Sequence, residues 1–112
     1  MLDELKIGQS LVVAGTEVAK EILRQLGGNK FIAMTGAKNF IGGDNSLSFK
    51  FGRNKTQANF MHIKLTASDL YDVEFGYASV KGRKVLKKLQ GVFFDQLQEI
   101  FSDFTGMATH LW

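Results

Sequence analysis

Three short runs, "LSFKF" at 47–51, "FMHIKL" at 60–65 and "YDVEFGY" at 71–77, alternate between apolar and polar residues, Phe60 excepted. Leu47, Phe49 and Phe51 fall on one side of the first run, and Ser48 and Lys50 on the other. In the second, Met61, Ile63 and Leu65 oppose His62 and Lys64; in the third, Tyr71, Val73, Phe75 and Tyr77 oppose Asp72 and Glu74. Successive side chains of a strand point to opposite faces, so each run buries one face and wets the other. Parallel strands packed between helices read instead as continuous apolar runs, so this pattern predicts an antiparallel sheet with one covered face. The connections "GRNKTQA" and "TASD" are short and polar, as hairpins require.

Helical spacing supplies the cover. Thr16 is positioned to cap "EVAKEILRQL", in which Val18, Ile22 and Leu26 recur every fourth residue beside Ala19 and Leu23, and Gly27 and Gly28 end the run. From Val92 onward, Phe93, Leu97, Ile100, Phe101 and Phe104 recur at helical intervals, with Gly106 as a stop. This predicts a helix from Val92 to Thr105 lying on Phe49, Ile63, Val73 and Phe75. Lys30 to Met34 reads as a further strand. "KVLKKLQ", residues 84–90, is open between strand and helix, because Val85, Leu86 and Leu89 suit a helical face while "VKGRK" before them suits a hairpin turn. The fold class is α+β: an antiparallel sheet of four to five strands, with an N-terminal and a C-terminal helix packed on one face. Residues 1–15 form an N-terminal segment without a clear assignment, and residues 16–112 a single domain.

Composition removes several kinds of chemistry. The 112-residue chain contains ten Phe and no Cys, so it can build an aromatic core but no disulfide, thiolate metal site or Cys nucleophile. His62 and His110 are far apart, too poor a ligand set for a metal, and nothing calls for a cofactor. No apolar stretch reaches the roughly 20 residues of a membrane span, and the acids Asp3 and Glu4 stand where a signal peptide carries bases, so a cytoplasmic protein is expected. A net charge of +3 permits attraction to nucleic acid without demanding it.

The glycine-rich stretch "FIAMTGAKNFIGGDNSLSF", residues 31–49, is not a Walker-type phosphate cradle. Lys38 precedes Gly42 and Gly43, the residues that follow are Asp44, Asn45 and Ser46, and the next element is a strand. It reads as a wide turn whose glycines supply positive φ, with Lys38 and Asn39 as the polar points of a candidate binding loop. Basic residues offer a candidate nucleic-acid surface: Lys81, Arg83, Lys84, Lys87 and Lys88 in one segment, Lys50, Arg53 and Lys55 in another, and Lys64 on the wet face, where Phe60 is in register to stack on a base. Against this, Asp72 and Glu74 lie at the centre of the same face and make it self-neutralising. The carboxylates join neither a nucleophile nor a pocket, so no enzyme is expected. Leu111 and Trp112 are candidate protein-interface residues.

The segments "LRQLGGNKFIAMTGAKNFIGGDNSLSFKF", "DLYDVEF" and "GVFFDQLQEIFSDFTGM" resemble a family of small uncharacterised proteins of bacteriophages and bacterial mobile elements, over about residues 16 to 111. The resemblance implies a setting in a bacterial host cell, favours a strand near Val85, and carries no activity with it. The outline is also similar to one half of the TATA-box-binding-protein fold, an analogy of architecture alone. The expectation is a non-enzymatic accessory protein that binds an unknown protein partner or itself; the alternative is a nucleic-acid-binding module.

Overall fold

A computed structural model describes residues 11–13 and 16–108, with side chains from residue 17 to residue 108. The elements are β1 (Leu11–Val13), α1 (Thr16–Leu26), α2 (Gly28–Thr35), β2 (Lys38–Gly42), β3 (Ser46–Lys50), β4 (Phe60–Leu65), β5 (Tyr71–Ser79), β6 (Gly82–Val92), a 3-10 turn (Phe94–Gln96) and α3 (Leu97–Thr105). The strands form a six-stranded sheet in sequence order. From β2 to β6 every pairing is antiparallel, and β1 adds a short parallel strand beside β2. The fold is therefore α+β with an antiparallel sheet, as the alternation requires.

The register carries that alternation across the sheet. Leu47 pairs with Ile63 and Ile63 with Val73, while Phe49 pairs with Met61 and Met61 with Phe75; all six are buried. The helices cover this face. Ala19, Ile22, Leu23 and Leu26 of α1 join the same core, and α3 contributes Leu97 and Phe101. Aromatic contacts tie the layers together: Phe101 meets Phe31 edge-on at 4.9 Å and Phe51 at 5.1 Å, and Phe104 stacks on Phe75 at 4.3 Å. Gln98 fastens α3 to the end of α1, its Nε2 donating to the Leu26 carbonyl at 2.8 Å.

Lys30–Met34 is not a strand but the body of α2. Phe31, Ile32 and Thr35 are buried at helical spacing, and Thr35 Oγ1 donates to the Phe31 carbonyl at 2.7 Å. Gly36 ends the helix in the left-handed conformation at φ 71, its N–H donating to the Ile32 carbonyl at 2.9 Å. A short apolar run suits either state, and the glycine beyond it decides.

The stretch read as a wide turn also holds β2. Only Phe40 and Gly42 of this strand are buried, and a bulge between Lys38 and Ile41 breaks the alternation that would have marked it. Gly42 and Gly43 do not take positive φ; Gly36 and Asn39, at φ 57, do.

The ambiguous segment 84–90 belongs to β6, which pairs with β5 from Gly82 to Val92. The C-terminal helix therefore starts later than Val92. Phe93, expected on its buried face, is extended and 56% exposed, and its N–H donates to Gln96 Oε1 at 2.9 Å. Leu97 and Phe101 are buried and Ile100 and Phe104 pack against the core, as their spacing indicated.

Candidate functional site

Among the described residues, no helix covers the other face of the sheet. Three rows of cross-strand neighbours run over it: Ser46, Lys64 and Asp72; Ser48, His62, Glu74 and Lys88; and Lys38, Lys50, Phe60, Gly76 and Val85. In the middle row Lys88 Nζ lies 3.8 Å from Glu74 Oε2, and in the first Lys64 stands opposite Asp72. This end of the face is self-neutralising, as the sequence suggested.

Among the described residues, the opposite end carries bases and no carboxylate. Segments 36–41, 50–61 and 75–87 meet there and contain no carboxylate; Lys38, Lys50 and Arg83 lie on this face, and Arg53, Lys55 and Lys81 in the loops at its rim. Asp44 and Asp69 occupy the turns at the far end of the strands. A sheet in sequence order places alternate connections at the same end, so charges scattered along the chain become segregated in space.

Phe60 is the centre of the basic end, yet it is only 5% exposed. Its ring lies on Gly76, where a Cβ would approach the ring to 2.5 Å, and the Arg83 guanidinium sits 4.4 Å above the ring centroid. Phe60 is on the register expected for base stacking, but Arg83 closes it off. Asn59 holds the neighbouring backbone in place by acting as an extra rung of the ladder: Nδ2 donates to the Ala78 carbonyl at 2.9 Å, and Oδ1 accepts from the Ala78 N–H at 2.8 Å.

Beside this stack is a cavity of about 360 Å³, bounded by Asn39, Ile41, Ser48, Lys50, Phe60 and Arg83. Ala78 completes its apolar wall. His62, in the next row, is half-buried, and its burial outweighs the opposing Glu74 carboxylate and, aided by the charges of Arg83 and Lys64, holds the imidazole below its ordinary pKa of 6.5.

The two sequence candidates Lys38 and Asn39 thus join Lys50 and Arg83, which the sequence assigned to different segments. The remaining bases disperse. Lys84 and Lys87 share the register of Tyr77 and Phe75 on the helix side, where Lys87 lines a second cavity of about 270 Å³ with Asp103 and Phe104. Lys81 is exposed at the hairpin tip, and Lys64 and Lys88 lie at the neutralised end. Arg53 and Lys55 belong to the 51–59 loop, which is organised by Asn54 and anchored by a 3.1 Å bond from the Lys55 N–H to the Thr105 carbonyl. Leu111 and Trp112 lie outside the described residues. Ile41, Ser48 and Ala78 were not legible as site residues, because the bulge at Asn39 conceals that Ile41 faces outward.

A second surface is the free edge of β6. This eleven-residue strand has a neighbour on one side only among the described residues. Val85 is exposed along it, and Phe93 and Phe94 are exposed just beyond it. Among the described residues no group of His, Asp and Glu is arranged to hold a metal ion, and no helix is long and apolar enough to cross a membrane. Comparison with known proteins returns no match, whether to a family model, to a curated protein or to a solved structure.

Proposed function

We propose that this is a non-enzymatic binding protein that acts by protein–protein contact, adding an extended acidic segment of a partner to the free edge of β6. The observation that carries the reading is β6 itself, an eleven-residue edge strand that bears Arg83, Lys84, Lys87 and Lys88 and leads into the exposed Phe93 and Phe94. An unpaired strand edge offers a row of backbone donors and acceptors to an incoming strand. Two copies of β6 side by side would oppose lysine to lysine, so the same charges that disfavour self-pairing favour an acidic strand. The resemblance to phage and mobile-element proteins supports an accessory role in a bacterial host.

The test is affinity capture from nuclease-treated host lysate, comparing wild type with Lys84→Glu/Lys87→Glu. The expected result is a partner lost in the variant whose acidic segment, made as a peptide, protects β6 amides from hydrogen exchange. Equal capture by the variant would overturn the reading, and a concentration-dependent dimer in sedimentation would replace the partner with a second copy.

The end of the open face that holds no acid among the described residues favours nucleic acid as a second reading. In that case Arg83→Gln/Lys84→Gln/Lys87→Gln lowers affinity for all sequences and flattens the salt dependence by about one unit per lost phosphate contact. The covered Phe60 and the division of the hairpin lysines between two faces weigh against it.

A further inference from the structure

We propose that the cavity beside Phe60 is a binding site for a small amphiphilic anion, a phosphate or carboxylate head on a compact apolar body. Lys38 and Lys50 stand directly opposite each other on β2 and β3, an arrangement of like charges that costs stability unless an anion relieves it. Among the described residues neither they nor Arg83 has a carboxylate partner. Arg83 is held in place: its guanidinium rests on Phe60, which in turn is fixed against Gly76, so its donors are pre-organised for an anion.

Two neutral donors complete the polar side. The Asn39 amide and the Ser48 hydroxyl border the cavity, and neither makes a side-chain hydrogen bond elsewhere among the described residues. Asn39 sits at the bulge in β2 with φ 57, a conformation uncommon for a residue with a side chain and frequent where a strand re-aims one toward a site. Ile41, exposed on the open face, supplies an apolar wall with no core to cover. The volume of about 360 Å³ suits a small molecule rather than a polymer segment.

The experiment is an amide-resolved NMR titration of the full chain with phenyl phosphate, phenylacetate and benzyl alcohol. At least one anion should shift the amides of Asn39, Ile41, Ser48 and Ala78 saturably, with benzyl alcohol far weaker; the preferred anion identifies the head group. Lys50→Gln/Arg83→Gln should weaken binding about tenfold or more, and Lys64→Gln/Lys88→Gln, at the neutralised end, should not. The wild-type titration stands alone if the first variant does not fold. Absence of saturation, equal binding of the neutral alcohol, or shifts confined to another surface would overturn the proposal. It would also be overturned by a short oligonucleotide that shifts these amides when neither small anion does.

Discussion

Phe101 lies among four rings: Phe31 at 4.9 Å, Phe51 at 5.1 Å, and Phe49 and Phe75 each at 6.4 Å. Removing it deletes contacts in every layer of the core, so Phe101→Ala should cost about 3–5 kcal/mol, a large part of a small domain's stability. Phe93→Ala, on the exposed side of the strand-to-helix junction, should change stability by less than about 0.5 kcal/mol, and thermal melts of the two variants read the difference directly. Gly76 is constrained by its neighbours rather than by its φ. An added Cβ would collide with the Lys84 carbonyl and come within 2.5 Å of the Phe60 ring, so Gly76→Ala should destabilise by roughly 1–3 kcal/mol in chemical denaturation. His62 gives a pH dependence of definite sign. Its folded pKa lies below 6.5, so the unfolded chain binds more protons in the window beneath that value, and stability is lost as pH falls from 6.5 through the folded pKa. His62→Gln should flatten this part of the pH–stability profile while leaving the carboxylate region below it.

Elements were legible wherever their periodicity was long or clean. β4 alternates from Met61 to Leu65 and was readable to its ends, whereas β2 was hidden by its bulge and α2 was too short to show a period. In α2 the local glycine carried the decisive information. Gly36 takes φ 71 with nothing within 4 Å of a built Cβ, so Gly36→Ala should cost about 1 kcal/mol through backbone strain alone. Gly43 lacks positive φ, and its Cβ would meet only the Ser46 side chain, the Oγ at 2.7 Å and the Cβ at 4.0 Å. Gly43→Ala should therefore be much milder, and paired melts of the two variants distinguish a helix cap from an ordinary turn. β6 was ambiguous for another reason. Its register shifts between Phe75 and Gly76, so lysines and apolar residues lose strict alternation and imitate a helical face.

Across the whole molecule, stability should follow position in the sheet. β4 lies between β3 and β5 beneath the helices, while β6 is paired on one side only among the described residues. Native-state hydrogen exchange should show the β4 amides opening only with global unfolding, and the outward-facing amides of β6 exchanging through much smaller openings. Uniform protection across β3 to β6 would mean that the edge is covered in solution. The charge distribution also belongs to this scale, since the meander gathers Asp72 and Glu74 with Lys64 and Lys88 at one end of the open face and leaves Lys38, Lys50 and Arg83, among the described residues, without a carboxylate partner at the other.

The sequence by itself determined which strands have one buried face and that two helices cover the same side, and it placed Phe49, Phe75 and Phe101 in the core while misplacing Phe93 and Tyr77, both of which are exposed. These properties follow from side-chain periods of two and of about 3.6, which are local. Tertiary structure alone decided the site. Lys50 and Arg83 meet at one cavity, with Lys38 opposite Lys50, because register places β2 beside β3 and the β5–β6 hairpin folds Arg83 over Phe60. Register depends on bulges and on contacts between distant segments, and no local period records either.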